Sequence, residues 1–256
     1  MKLLVDMGNS RMKWATVSNG VLSQVSSLAY DNFALKCQTH WQQIGVPKQV
    51  WASCVAKDEH WMSLTQTSQI LWGLQPERIS SLPEAHGVTN GYADAAKLGS
   101  DRWAALVAAH RLYPTTACIV DCGTALTVDG LSAEGKHLGG VIVPGVQMMQ
   151  SSLASDTVAI SEIMDNTQNT LSKPLLGHDT TSGIINGSWL ASMGSVEKVY
   201  SSLSVQTDDK VACIITGGNA EQLFELLSGQ LLVEPVVDTG LVLKGLAIIA
   251  GENITK

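Results

Sequence analysis

The chain has 256 residues, 45% of them apolar and 15% charged, with a formal net charge of -7. This composition predicts a globular protein with a large core and excludes a disordered chain. The 16 basic residues form no run, which argues against nucleic acid as a partner. No apolar segment reaches the length needed to cross a membrane, so no membrane partner is expected.

The five cysteines are odd in number and scattered along the chain. Cys118 and Cys122 are close in sequence, but no second pair accompanies them, so core packing is favoured over a zinc site. Reduced, buried thiols are typical of a cytoplasmic protein. The chain opens in a strand-like segment, and the sequence therefore predicts no signal peptide and a cytoplasmic location.

In the first half of the chain, apolar patterning and turn residues predict alternating strands and helices. The strands are expected over residues 2–6, 12–17, 21–27 and 49–54. The helices are expected over residues 31–43, 59–71 and 100–113. Ser100 is the expected N-cap of the third helix and Pro114 ends it. Asn19-Gly20 predicts a tight hairpin turn, whereas residues 76–97 are predicted to be rich in loops.

The second half begins again with strands. These are expected over residues 117–121, 125–131, 137–143 and 211–216. Helices are expected over residues 146–154, 181–203, 220–228 and 241–250. Two series in which strands come first and helices follow predict two α/β domains of related topology, at residues 1–114 and 115–256.

A short turn motif occurs once in each half. Lys2–Val17 and Ala117–Leu131 each contain a strand, an Asp-x-Gly turn followed by Asn or Thr, and a second strand. We call residues 6–13 the first loop and residues 121–124 the second loop. Backbone amides, hydroxyls and the Lys13 ammonium are suitable donors for a polyphosphate. Each turn alone is equally compatible with an ordinary hairpin, but the repetition favours two related halves facing a shared cleft.

Two further segments place polar residues where a helix is expected to begin. In Gly99-Ser100-Asp101-Arg102, Asp101 could be a base for a substrate hydroxyl and Arg102 a clamp for an anion. The same residues could instead be a helix start stabilised by an acid. Tyr92, in the preceding glycine-rich loop, is a candidate for the same pocket. Thr216–Asn219 could admit a flat ligand such as adenine, or could simply form a tight turn.

The sequence contains no GxxxxGK[ST], GxGxxG or GxSxG motif, which argues against P-loop NTPases, ordinary dinucleotide-binding folds and α/β-hydrolases. In chain order, DMGNSRMK, GSDR, DCGTALTVD, GGVIVPG and TGGN instead resemble the type III pantothenate kinases of the actin, hexokinase and sugar-kinase superfamily. The resemblance spans nearly the whole chain. GSDR stands where the family usually has GADR, and residues 177–180 depart further from the family's form.

The resemblance implies duplicated ribonuclease H-like (actin-like) α/β domains, each a mixed sheet flanked by helices, with a cleft between them. It implies ATP-dependent phosphorylation of pantothenate to 4′-phosphopantothenate, the first committed step to coenzyme A, with Asp101 accepting the hydroxyl proton. Pantothenate would contact Tyr92, the residues Gly99, Ser100, Asp101 and Arg102, and Thr180 from the partner subunit of a homodimer. The nucleotide would contact Thr124 and the first-loop residues Asp6, Met7, Gly8, Asn9, Ser10, Arg11, Met12 and Lys13. Asp121 would bind K⁺ or NH₄⁺, and Mg²⁺ would accompany ATP.

Two other functions stay open. The chain could be another small-molecule kinase of the same superfamily, or a transcription accessory factor, as some relatives were first described. An acid beside an arginine in GSDR and two intact Asp-x-Gly turns favour a catalytic protein.

Overall fold

The structure is a computed structural model, and it describes residues 1–31, 33–155, 171, 173–207 and 210–255. The chain forms two compact units. Unit 1 comprises Met1–Pro114, Glu134–His137 and Gly240–Lys256, and unit 2 comprises Thr115–Ala133 and Leu138–Thr239. Unit 1 thus also takes in two segments beyond Pro114, the short Glu134–His137 and the longer Gly240–Lys256.

The elements follow the predicted order, with small shifts at their ends. The strands are β1 (Lys2–Met7), β2 (Arg11–Ser18), β3 (Val21–Leu22), β4 (Ser26–Ala29), β5 (Val50–Cys54), β6 (Glu77–Arg78), β7 (Glu84–Ala85), β8 (Val88–Thr89), β9 (Ala117–Cys122), β10 (Ala125–Leu131), β11 (His137–Pro144), β12 (Ala212–Thr216) and β13 (Val236–Val237). The helices are α1 (Phe33–Trp41), α2 (Asp58–Trp72), α3 (Ser100–Leu112), α4 (Val146–Ser155), α5 (Thr180–Thr207), α6 (Ala220–Leu227) and α7 (Leu241–Ile249), with a 3-10 helix over Ala95–Lys97. Within the described ranges, none of these helices has both the length and the apolar character needed to cross a bilayer.

Unit 1 is built on a mixed six-stranded sheet of order β3-β2-β1-β5-β6, in which β4 also pairs with β2. Strand β1 runs antiparallel to β2 and parallel to β5, and β5 runs parallel to β6. The predicted hairpin turn is present, with positive φ angles at Asn19 (51°) and Gly20 (76°). The predicted strand over 21–27 is broken into the short strands β3 and β4.

Strand β1 is covered on both faces. Leu3, Leu4 and Val5 are all fully buried, whereas a strand with one face in solvent would alternate. Leu3 and Val5 share a core cluster with residues of α1 and α2. Helices α3 and α7 pack closely together, and α7 also contacts β1. Burial on both faces fixes the end of β1, where the first loop begins.

Unit 2 repeats the sheet of unit 1. Its strand order is β11-β10-β9-β12-β13, with β9 antiparallel to β10, β9 parallel to β12, and β12 parallel to β13. Strand β9 thus corresponds to β1, and β12 corresponds to β5. Asp6 and Asp121 are each the second-to-last residue of the equivalent strand. Asp6 lies opposite Lys13 and Ser53, and Asp121 lies opposite Thr127 and Thr216. The predicted related topology of the two halves is therefore confirmed.

Candidate functional site

The first loop joins β1 to β2 by a turn that is closed by its own backbone. The Gly8 amide donates a hydrogen bond to the Arg11 carbonyl oxygen at 3.1 Å. A Cβ atom on Gly8 would lie 3.3 Å from that oxygen, which is tighter than most side chains tolerate. Asn9, Ser10 and Arg11 are exposed. The turn therefore presents amide, hydroxyl and guanidinium donors to solvent, which suits an anionic ligand.

The turn at the second loop has the same closure, but one residue fewer lies between its paired strand positions. Met7 pairs with Met12 across the first loop, whereas Cys122 pairs with Leu126 across the second. The Gly123 amide donates to the Ala125 carbonyl oxygen at 3.1 Å. The two turns are equivalent in position, but the first turn has one more backbone amide that can donate a hydrogen bond to a ligand.

The second loop lies in a backbone cradle made by the segment that follows β12. Gly217 has φ of 102°, and a Cβ atom there would lie 2.6 Å from Asp121 Oδ1 and 2.5 Å from the Cys122 carbonyl oxygen. The Asn219 amide donates to that same carbonyl at 3.0 Å. Burial, together with the adjacent charge of Asp121, raises the pKa of the Cys122 thiol to about 12. The thiol therefore stays neutral at physiological pH and is a poor ligand for a cation.

The end of β11 also contacts the second loop. The Gly145 amide donates to the Thr124 carbonyl oxygen at 3.0 Å, and a Cβ atom on Gly145 would lie 2.5 Å from that oxygen. Gln147, in the next turn, exchanges hydrogen bonds with the Asn219 side chain at 3.0 and 3.2 Å. Three segments that are far apart in sequence, DCGT, VPG and TGGN, thus converge at one end of the unit 2 sheet.

In unit 1, helix α3 is fixed to the end of β5 through its first residue. The N-cap is Gly99, with no side-chain capping bond, so the prediction of Ser100 as N-cap was wrong. The Ser100 hydroxyl instead lies 3.0 Å from the Ser53 hydroxyl and accepts a hydrogen bond from the Cys54 amide at 3.2 Å. An N-cap side chain would have turned back on its own helix, whereas this one reaches the neighbouring strand. Since Ser53 pairs with Asp6, the start of α3 and the first loop lie at the same end of the sheet.

Asp101 lies in the first turn of α3, where the helix dipole favours a negative charge. Its Oδ1 atom accepts a hydrogen bond from the Arg102 amide at 2.8 Å. A Cβ atom on Gly99 would lie only 2.5 Å from that oxygen. Any side chain at position 99 would therefore displace the carboxylate, which explains why a glycine precedes Ser100.

Arg102 is buried and is held by Tyr92. Its Nη1 atom donates to the Tyr92 hydroxyl at 2.8 Å, and its guanidinium carbon lies 5.5 Å from the centre of the Tyr92 ring. The Tyr92 ring stacks on His137 with a centroid distance of 5.9 Å, and His137 Nδ1 accepts a hydrogen bond from the Gly91 amide at 3.4 Å. The Tyr92 amide in turn donates to Asn90 Oδ1 at 3.0 Å. This network links the loop that carries Tyr92 to the start of α3 and to β11.

The structure thus brings Tyr92, Gly99, Ser100, Asp101 and Arg102 together in unit 1, the unit that also holds the first loop. Asp121, Thr124 and Thr180 belong to unit 2. Sequence reasoning missed Ser53, Asn90 and His137. Asn90 is followed by Gly91, and this pair is a local signal for a turn. Ser53 and His137 make contacts with residues distant in sequence, and no local pattern reveals such contacts.

Thr180 is the first residue of α5 and is exposed. It borders an apolar depression of about 650 Å³ between α4 and α5, whose other lining residues include Met148, Met149 and Leu153. Gly183 and Gly187 lie along the same helix, and a Cβ atom on either would meet nothing within 4 Å. The start of α5 is therefore an open, partly apolar surface.

Comparison with known proteins shows relatives over the full chain. The family model described as type III pantothenate kinase matches residues 2–202. Curated type III pantothenate kinases include one from Nitrosococcus oceani, 34% identical with 99% of this chain and 95% of the relative covered. Another, from Halorhodospira halophila, is 36% identical with 89% of this chain and 91% of the relative covered.

Solved structures that are less identical in sequence than these relatives share the fold of this chain. A conserved protein from Campylobacter jejuni, assigned to the Baf family of transcriptional activators, matches with a TM-score of 0.58 and 19% identity over 98% of each chain. The activator of 2-hydroxyisocaproyl-CoA dehydratase from Clostridium difficile, with bound ADPNP, matches with a TM-score of 0.55 and 14% identity over 97% of this chain and 93% of its own. These likenesses and the repeated sheet confirm the predicted duplicated, actin-like α/β fold. With family relatives above 30% identity over nearly its whole length, the chain belongs to the type III pantothenate kinase family.

Proposed function

We propose that this protein transfers the γ-phosphoryl group of ATP to pantothenate, forming 4′-phosphopantothenate and ADP in the cytoplasm. The observation that carries the proposal is the arrangement at the start of α3, where Asp101 precedes a buried Arg102 that Tyr92 holds in place. Five free, buried cysteines suit a reducing compartment.

Each of these residues has one role in the proposed reaction. Asp101 accepts the proton of the pantothenate hydroxyl as that oxygen bonds to the γ-phosphorus and the bond to the ADP oxygen breaks. Arg102 binds the pantothenate carboxylate, because a planar guanidinium matches a carboxylate in shape and charge and Tyr92 holds this guanidinium in place. Phosphoryl transfer depends mainly on positioning and charge neutralisation, so an ordinary ionised carboxylate suffices as base.

The nucleotide is assigned to Thr124 and to the first loop, from Asp6 to Lys13. Exposed Asn9, Ser10 and Arg11 at the turn, and Lys13 beside Asp6, supply the donors that phosphates require. Mg²⁺ bound to ATP needs one or two carboxylates and otherwise water and phosphate, and Asp6 meets that need.

A panel of acceptors tests the proposal. ADP release by the purified protein, with MgATP and KCl, should depend on pantothenate and not on sugar acids or acetate. Product mass should confirm a single added phosphate. Equal or greater ADP release with a sugar acid, and none with pantothenate, would instead identify another kinase of the superfamily.

The monovalent cation is assigned to Asp121. The Asp121 carboxylate offers hard oxygen donors, and Gly217 lets the backbone approach it so closely that a Cβ atom there would lie 2.6 Å from Oδ1. Such a hard donor set fits K⁺ or NH₄⁺, which would supply positive charge in an acidic protein. We expect wild-type activity to rise with K⁺ over Na⁺ at equal ionic strength, and Asp121→Ala to show the same low rate with both ions. A persisting K⁺ response in Asp121→Ala would place the cation elsewhere.

The pantothenate site is assigned to a homodimer in which Thr180 comes from the partner subunit. The apolar depression beside Thr180 and the open Gly183 and Gly187 offer a surface on which another helix can pack closely. Gly187→Glu should convert the dimer to a folded monomer, as measured by light scattering after gel filtration. The monomer should also bind pantothenate more weakly. Gly45→Glu is the control, since position 45 is equally open but lies in unit 1. A Gly187→Glu protein that stays dimeric would exclude this face.

A further inference from the structure

A group of aromatic side chains outside the recognised motifs lies against the first loop. Tyr30 follows β4, and its hydroxyl donates a hydrogen bond to the Gly8 carbonyl oxygen at 2.8 Å. The pairing of β4 with β2 explains the contact, because Ala29 lies opposite Arg11 and so brings Tyr30 to the turn. Nothing in the sequence around Tyr30 indicates this contact, since residues 8 and 30 meet only through the sheet.

The Tyr30 ring is packed against two neighbouring rings. It stacks on His60 with a centroid distance of 3.7 Å and an interplanar angle of 8°, and it packs on Phe33 at 5.3 Å. Burial, with smaller contributions from Cys54 and Asp6, raises the pKa of Tyr30. The hydroxyl therefore keeps its proton at physiological pH and remains a donor.

The hydrogen bond from Tyr30 to the Gly8 carbonyl also determines the direction of the Asn9 amide. The Gly8 C=O and the Asn9 N–H belong to one planar trans peptide, so they point in opposite directions. Fixing the carbonyl toward Tyr30 fixes the Asn9 amide away from it. If this peptide rotated, a carbonyl oxygen would face the ligand where a donor is needed, and an anion would be repelled.

We infer that Tyr30 is a positioning residue, which directs the Asn9 amide of the first loop toward the phosphates of a nucleoside triphosphate. The inference rests on the proposed function for the assignment of the nucleotide to this loop. It adds a residue that acts through Gly8 rather than by touching the ligand.

Tyr30→Phe is the direct test, because it removes the hydroxyl and keeps the stacked ring. We expect the Kd for an MgATP analogue, measured by calorimetry without pantothenate, to rise roughly fivefold, as loss of one hydrogen bond implies. The KM for ATP should rise by the same factor, while the KM for pantothenate and kcat stay within about twofold. If the analogue binds Tyr30→Phe as tightly as wild type, the inference fails.

Tyr200→Phe is the matched control. The Tyr200 hydroxyl also donates to a backbone carbonyl, that of Val211 at 3.2 Å, and it lies in unit 2. Its loss should lower the melting temperature without changing nucleotide affinity. Equal weakening of nucleotide binding in both variants would mean that general destabilisation is the cause, and would overturn the inference.

A second variant covers the case in which Tyr30→Phe does not fold. His60→Ala removes the surface on which the ring stacks but leaves the hydroxyl, so it should weaken nucleotide binding in the same direction and by less. Unchanged affinity in His60→Ala would then reject the inference. The two proposals can fail separately. If Tyr30→Phe weakens binding of the analogue relative to wild type, the positioning role stands even when the wild-type protein does not phosphorylate pantothenate. In that case only the proposed substrate is wrong.

Discussion

Replacing Asp101 with Asn should lower kcat for pantothenate by at least about a hundredfold, the usual contribution of a positioned general base. Asn is close in shape to Asp but cannot accept the proton of the substrate hydroxyl. The contact with the Arg102 amide can survive, because the Asn side chain keeps an acceptor oxygen near the position of Oδ1. The Kd of an MgATP analogue should therefore change little, which separates loss of chemistry from loss of binding.

The matched control for this variant is Asp58→Asn. Asp58 is an acid in the first turn of α2, as Asp101 is in the first turn of α3, and it is exposed. If Asp101 only stabilised a helix dipole, the two substitutions should each cost a similar fraction of a kcal/mol in stability and leave kcat intact. A normal kcat in Asp101→Asn would remove this residue from the reaction.

Gly245→Ala should lower the free energy of unfolding by roughly 3 kcal/mol, at the upper end of the usual cost of overpacking. A Cβ atom at position 245 would lie 1.9 Å from the Ala104 carbonyl oxygen of α3, so the two helices must separate to accept one methyl group. Both helices bury most of their residues, and little free volume can absorb the shift. Urea denaturation followed by circular dichroism measures the change.

Gly194→Ala is the control for Gly245→Ala, because a Cβ atom at position 194 in α5 would meet nothing within 4 Å. Alanine is the better helix former, so this variant should be as stable as wild type or more stable, by up to about 1 kcal/mol. Since α3 also carries Asp101, Gly245→Ala should lower kcat as well. Equal stability of the two variants would show that α3 and α7 have room between them for a methyl group at position 245.

Local chemistry predicted much of this fold, and the reasons are visible in particular residues. Asn19-Gly20 determines a hairpin through backbone conformations that few residues adopt, and the Asp-x-Gly turns end strands of clear apolar pattern. The hairpin of β7 and β8 escaped prediction, because strands of two residues carry no periodicity. His86 and Gly87, with φ of 55° and 80°, form its turn.

The candidate site was predictable only in part. Gly99 to Arg102 and the two loops stand out in the sequence because glycine and polar residues cluster there. Ser53, His137 and Tyr30 do not, because each meets its partner only after strands have paired. The N-cap error has the same origin, since the Ser100 hydroxyl contacts strand β5 rather than its own helix. Residue type signals local geometry, whereas contacts between distant segments depend on the assembled sheet.

The return of Gly240–Lys256 to unit 1 has a consequence for biosynthesis. Helix α3 leaves the ribosome before α7, so the apolar side of α3 that α7 covers has no partner until Leu241–Ile249 has been synthesised. The salt bridge between Lys2 and Glu252, at 3.2 Å, likewise cannot form until Glu252 has been synthesised. Unit 1 therefore cannot complete its core until Gly240–Lys256 has been synthesised, and in that interval the uncovered face of α3 is exposed to aggregation, which chaperones would prevent.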